Sequence, residues 1–261
     1  MDGRIDEVTG EPVAIRYDNV HKAFGEHRVL RGLTLDIPRG RITVIIGRSG
    51  TGKSVTIKHI MGLLRPDSGR IYLGEQELTA MGDRQLRQVR NRFGVVFQHA
   101  ALFDSMSVYD NVAFPLHEHT SLPRSEVDSR VHTLLAEVGL QGAENKFPSE
   151  LSGGMRKRVG LARALVREPE FILYDEPTTG LDPILAAAMD RLIVQTQQAN
   201  PGLTSVVISH DMRAVLHIAH KVAFLVDGEV YAEGEPGVFQ HHEDPLIRQF
   251  VAGSLDGPMK V

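Results

Sequence analysis

The run "GRSGTGKS" at residues 47–54 constrains this chain more than any other feature. It fits the pattern G-x-x-x-x-G-K-S/T and sits between two readable elements. Before it lies "RITVIIG" (41–47), a continuous apolar run of the kind a buried parallel strand shows; after it, residues from about 53 to 64 read as a helix. Gly47, Gly50 and Gly52 let the backbone curl until its N–H groups point at phosphate oxygens, and the helix adds the positive end of its dipole. Lys53 is expected to reach the β- and γ-phosphates of a nucleotide, and the Ser54 hydroxyl to bind Mg2+.

The rest of the chain supplies a sheet for this loop. "VAIRYDNV" (13–20) and "LTLDI" (33–37) are β-rich, "GRIYLGEQEL" (69–78) reads as a hairpin segment, and "FGVVFQ" (93–98) as another buried strand. From about 99 to 156 the pattern turns helical, as in "RSEVDSRVHTLLAEVGL" (124–140), where Val127, Val131, Leu134, Leu135 and Val138 recur at helical spacing. Strand and helix then alternate: "EFILYDE" (170–176), a helix after Asp182-Pro183, "TSVVISH" (204–210), a helix after Asp211, and a hairpin "KVAFLVDGEVYAEG" turning at Asp227-Gly228. The alternation predicts an α/β fold, a mainly parallel sheet with helices on both faces and a helical insertion.

Composition removes several alternatives. A net charge of −4 with 24% charged residues gives no sign of a nucleic-acid-coating surface. The absence of cysteine excludes disulfides, thiolate metal sites and a Cys nucleophile. The longest apolar runs are strand-sized, well short of the ~18 residues a membrane helix needs, and the polar, acidic N-terminus does not read as a secretory signal. "HEH" (117–119) and "HH" (241–242) lack a third partner at metal-ligand spacing, so zinc is not expected.

A nucleotide site also needs carboxylates for the metal and the water. The strand "FILYDE" ends in Asp175 and Glu176, which puts both at the carboxyl edge of the predicted sheet. Asp175 is expected to hold Mg2+, directly or through water, and Glu176 to orient or deprotonate the attacking water. A second glycine pair follows a serine in "LSGGMRKR" (151–158), where Ser152 is an N-cap and exposed backbone N–H groups open a strong helix. Local residues leave two readings: an ordinary capped helix with Arg156, Lys157 and Arg158 on a solvated face, or a second anion site.

Five motifs in order, "GRSGTGKS", "VVFQ", "LSGGM", "FILYDEPTTGLDP" and "VVISHD", resemble the ATP-binding cassette ATPases of ABC transporters over nearly the whole chain. The resemblance implies a P-loop NTPase core with an antiparallel β subdomain and an inserted helical subdomain carrying the signature. It sets an ATPase domain at 12–245, a helical subdomain at about 99–156 and a C-terminal tail at 246–261, which either packs across a dimer or is disordered. It implies ATP and Mg2+ as ligands and a head-to-tail homodimer, in which Ser152, Gly153 and Gly154 close over ATP held by the other copy. It assigns Phe24 to adenine stacking, and Arg48, Ser49, Thr51 and Val55 to the nucleotide-binding set with the loop glycines, Lys53 and Ser54. Gln98 becomes the sensor of γ-phosphate and metal, Asp182 the link between the two sites, and His210 the contact to γ-phosphate and water. Met155 stands where the family's signature usually has glutamine, a departure that leaves the serine and backbone contacts to phosphate intact.

"LSGGMRKRVGLARAL", "GRSGTGKSVTIKHIMGLLRPDSG" and "DPLIRQFVAGSLDGP" are further similar to the ATPases of MCE-type, or Mla-type, phospholipid transporters. That resemblance implies a peripheral subunit on the cytoplasmic face of the bacterial inner membrane. Its partners would be a permease dimer, an MCE lipid-binding protein and, in some systems, a STAS-domain subunit, with phospholipid as cargo. The alternatives are an importer ATPase for polar amino acids or another small solute, and a soluble ABC ATPase of translation or DNA repair. The last normally needs two cassettes or coiled-coil arms, and this chain holds one cassette without a heptad run.

Overall fold

The computed structural model describes residues 4–259. The chain opens with two long strands, β1 (Val13–Phe24) and β2 (His27–Pro38), then β3 (Ile42–Gly47), α1 (Lys53–Ile60), β4 (Ser68–Leu73), the short β5 (Gln76–Glu77) and α2 (Asp83–Arg90). The middle carries β6 (Phe93–Val96), α3 (Val108–His119), α4 (Arg124–Glu137), α5 (Gly153–Leu165), β7 (Phe171–Asp175), α6 (Pro183–Ala199) and β8 (Thr204–Ile208). It ends with α7 (Met212–Ile218), β9 (Lys221–Val226), β10 (Glu229–Gly234), α8 (Pro236–Gln240) and α9 (Pro245–Ala252).

These elements fall into two units, one formed by the chain up to Arg87 together with Val206 onward, the other by Gln88–Ser205. The first holds the antiparallel sheet β2-β1-β4-β5, and β3 lies parallel to β9 with Gly47 opposite Leu225. All six residues of β3 are buried, which explains its unbroken apolar run. Strands β9 and β10 form the expected hairpin, with Asp227 at φ +50° and Gly228 at φ +84°, the two positive dihedrals that a twisted two-residue turn requires. In the second unit β6 pairs parallel with β7; helices α3 and α4 lie within the segment read as helical, about 99–156, whereas α5 starts at its end and runs on to Leu165.

Several element ends differ from the sequence reading. Helix α1 stops at Ile60 rather than near 64, because Gly62 turns left-handed at φ +62° and Pro66 follows. Helix α4 ends at Glu137, with Gly139 at φ +69° reversing the chain. Strand β6 ends at Val96, so Phe97 and Gln98 leave the ladder. Residue 246 falls inside α9, whose Ile247 is buried and whose Phe250 ring lies 4.8 Å from that of Phe224. The Gln249 side-chain amide bonds the backbone of Met259 and Ser254, folding the described part of the tail onto its own helix. Residues 260 and 261 of that tail lie outside the described residues.

Among the buried polar groups of the first unit, Lys221 and His59 have no motif to announce them. Lys221 at the start of β9 is fully buried and donates to the Asp6 carboxylate, itself 1% exposed. The same ammonium donates to the Asp36 carbonyl at 2.9 Å and lies 3.1 Å from Glu233. His59 is also buried, with Nδ1 2.7 Å from the Val55 carbonyl, and burial pushes its pKa below the ordinary 6.5. The folded state therefore binds this proton more weakly than the unfolded chain. Stability is full above 6.5 and falls as pH drops below it toward the depressed folded value. Urea denaturation at pH 7.5 and pH 5.5 is expected to show this loss, and His59→Leu to reduce it. An unchanged pH dependence in the variant would mean that other groups carry the effect.

Candidate nucleotide site

Two glycines shape the phosphate loop. At Gly47 φ is +151° and a Cβ would fall 2.5 Å from the Leu225 carbonyl oxygen; at Gly52 φ is +100° and a Cβ would fall 2.7 Å from Leu30. Side chains are excluded at both points, so the chain turns directly from β3 into α1. Gly52 is the N-cap and supplies no side-chain cap to the first turn of α1, the helix end whose dipole favours an anion. Lys53 is buried, and its ammonium donates to the carbonyls of Gly47 at 2.6 Å and Arg48 at 2.8 Å. The Thr51 hydroxyl donates to Arg48 O at 2.9 Å. Arg48, Ser49, Gly50 and Ser54 are exposed and Val55 is half-buried.

The same unit carries Phe24 and His210. Phe24 ends β1 with 49% of its surface exposed, and the Lys22 ammonium lies 5.6 Å from its ring centroid. An exposed aromatic face is what stacking on a base requires. His210 stands exposed just past β8, after Ser209, whose N–H donates to Ile45 O of β3 at 3.2 Å.

The second unit holds the remaining expected residues. Gln98 is half-buried in the loop after β6. That loop continues through Ala100 at φ +60° and Ala101 at φ +47°, two consecutive non-glycine residues in the left-handed region. Their carbonyls accept from the Arg163 guanidinium of α5 at 2.7 and 2.8 Å. Ser152 caps α5 as its sequence predicts, its hydroxyl accepting from Met155 N at 3.3 Å. Gly153 and Gly154 form the first turn, Gly153 half-buried and Gly154 buried.

Strand β7 delivers the carboxylates. Its first four residues are buried, Asp175 ends it half-buried, and Glu176 follows at φ +53°. The left-handed turn re-aims Glu176 away from the strand direction. The Thr179 hydroxyl donates to Glu176 Oε2 at 2.7 Å. Asp182 is the N-cap of α6, accepting from Ile184 N at 2.9 Å and Leu185 N at 3.0 Å. Pro183 occupies the first helical position, where a missing N–H does no harm.

Thus one unit gathers Phe24, the loop 47–55 and His210, and the other gathers Gln98, Ser152, Gly153, Gly154, Asp175, Glu176 and Asp182. Lys157, Thr179 and Arg163, which hold these loops, lie inside the quoted motifs, but the sequence assigned none of them a holding role. Arg156 is exposed as a solvated face requires, whereas Lys157 is buried; burial pushes its pKa down and the charge of Glu176 opposes that shift.

A glycine-built anion loop on a parallel strand, a buried lysine over it, a second serine-glycine-glycine helix start and a carboxylate pair ending an apolar strand define a P-loop nucleotide-binding ATPase. The family profile described as ABC transporter matches residues 30–179, and the chain belongs to that family. It is 42% identical over 247 residues to the probable ribonucleotide transport ATP-binding protein mkl of Mycobacterium leprae, covering 95% of this chain and 71% of that one. It is 43% identical over 235 residues to the intermembrane phospholipid transport system ATP-binding protein MlaF of Escherichia coli K12, covering 90% and 87%. The dimeric ATP-binding cassette MJ0796, bound to ADP and Pi in a post-hydrolysis state, superposes with a TM-score of 0.77 at 30% identity, covering 85% of this chain and 98% of that one. The chain is therefore an ABC-type ATPase that binds nucleotide and couples its hydrolysis to transport. Among the described residues no helix is long and apolar enough to cross a membrane.

Proposed function

We propose that this ATPase powers phospholipid transport between the inner membrane and the outer envelope, acting from the cytoplasmic face on a permease dimer of the MCE or Mla type. The similarity to MlaF, which runs over 90% of this chain and 87% of that one, carries the reading. An MCE lipid-binding protein and a STAS-domain subunit are the further partners this reading names. Two copies work as a head-to-tail pair; that the similar cassette MJ0796 is dimeric supports the pairing.

The chain's own groups account for the chemistry. Loop amides 47–55 and Lys53 hold the β- and γ-phosphates, while Phe24 stacks on the base. Glu176 accepts a proton from the water that attacks the γ-phosphorus as the bond to the bridging oxygen breaks, giving ADP and phosphate. His210 and Gln98 orient that water and the γ-phosphate. Ser152, Gly153 and Gly154 of the second copy supply amide and hydroxyl donors to the same phosphate. The Ser54 hydroxyl, Gln98 amide oxygen and Asp175 carboxylate are hard oxygen donors that suit Mg2+, which when bound neutralises phosphate charge. No covalent intermediate is required.

The name of mkl supports a second reading, an ATPase for transport of a polar solute such as a ribonucleotide. A mild-detergent pull-down from native membranes, with subunits and lipids identified by mass spectrometry, separates the two. Permease, MCE protein and bound phospholipid together are expected; a solute permease without an MCE protein would replace the lipid reading by the second one.

A further inference from the structure

Lys157 lies on α5 within the triplet Arg156, Lys157, Arg158, where a lysine would ordinarily keep its ammonium in water. Instead it is 6% exposed and reaches the turn after β7. Its ammonium donates to Thr179 O at 2.7 Å and lies 3.4 Å from Glu176 O, both backbone carbonyls. Within that turn Thr179 N donates to Glu176 O at 3.3 Å, and the Thr179 hydroxyl donates to Glu176 Oε2 at 2.7 Å. A single ammonium thus closes both ends of residues 176–179 from outside. The turn needs such a clamp, since Glu176 occupies the left-handed region that non-glycine residues adopt only when neighbours enforce it.

We propose that Lys157 is a positioning residue for ATP hydrolysis, holding from the signature helix the turn that aims the Glu176 carboxylate. This rests on Glu176 as the group that activates water. Helix α5 begins at Ser152, Gly153 and Gly154, so the helix that meets the second copy's nucleotide also carries the clamp on its own chain's carboxylate. Arg163 further along α5 holds the loop after Gln98 in the same way, by donating to two strained carbonyls.

The test is a kinetic cycle on the full chain in its native complex. Lys157→Met removes the ammonium and keeps the stem. It is expected to lower kcat by about 30- to 100-fold with KM within about threefold, the size of loss that a displacement near 1 Å produces. Single-turnover hydrolysis is then measured with Lys157→Met added to Glu176→Gln, where no further loss is expected, because the group being positioned is already gone. Lys157→Leu, which likewise removes the ammonium, carries the same cycle if the Met variant fails to fold by thermal melting. Equal losses in both backgrounds, a raised KM at unchanged kcat, or wild-type kcat in the folded variant would each overturn the positioning role. Wild-type turnover in Glu176→Gln alone would instead remove the carboxylate reading on which the role rests.

Discussion

Glu176→Gln is expected to bind ATP normally and to hydrolyse it about 10³-fold more slowly, within the range removal of a general base produces. The variant is informative because it changes so little else. Glutamine keeps the length and planarity of the side chain, and its carbonyl oxygen can still accept the Thr179 hydroxyl that Glu176 Oε2 accepts at 2.7 Å. The left-handed turn at residue 176 and the Lys157 clamp on the 176–179 carbonyls are made by backbone, so both survive. Only the ability to take a proton from water is lost. Phosphate release and equilibrium ATP binding, measured on the same preparation, separate these effects, and the variant should also accumulate as an ATP-bound dimer by light scattering. Turnover within tenfold of wild type would assign the proton to another acceptor.

Asp6→Ala should lower the stability of the fold by about 3 kcal/mol, the lower end of what removing one partner of a buried ion pair costs. For a chain of this size the melting temperature should drop by roughly 6 to 12 °C. Lys221 is fully buried on β9, and among the described residues the carboxylate left to it without Asp6 is Glu233, which is 38% exposed and so weakened by solvent. Asp6 also accepts from the Thr9 N–H and hydroxyl at 2.9 and 2.8 Å, so the loss releases the segment before β1 as well. The double variant Asp6→Leu with Lys221→Met is the control. Replacing both charges by apolar groups is often neutral or stabilising, so it should recover most of the loss. A melting temperature within 2 °C of wild type for Asp6→Ala would show that Glu233 and the Asp36 carbonyl suffice to satisfy the ammonium.

The sequence by itself determined the parts whose chemistry is local. "GRSGTGKS" required a strand, a turn and a helix, since its glycines tolerate dihedrals that other residues do not, and Gly47 and Gly52 have those dihedrals. Asp182-Pro183 and Ser152 announced helix starts because a cap and the N–H groups it serves lie within three residues. Asp227-Gly228 announced its hairpin for the same reason of short range. Only the tertiary structure decided the rest. Nothing in "MRKR" separates Lys157 from its neighbours until β7 and its turn are placed against α5. Asp6 and Lys221 are 215 residues apart, and either could as well have been solvated. The tail shows its apolar contacts only once Phe224 is in place beside Phe250. A charged side chain carries no local mark of whether it will be buried, because its burial depends on which distant strand or loop supplies the compensating oxygen.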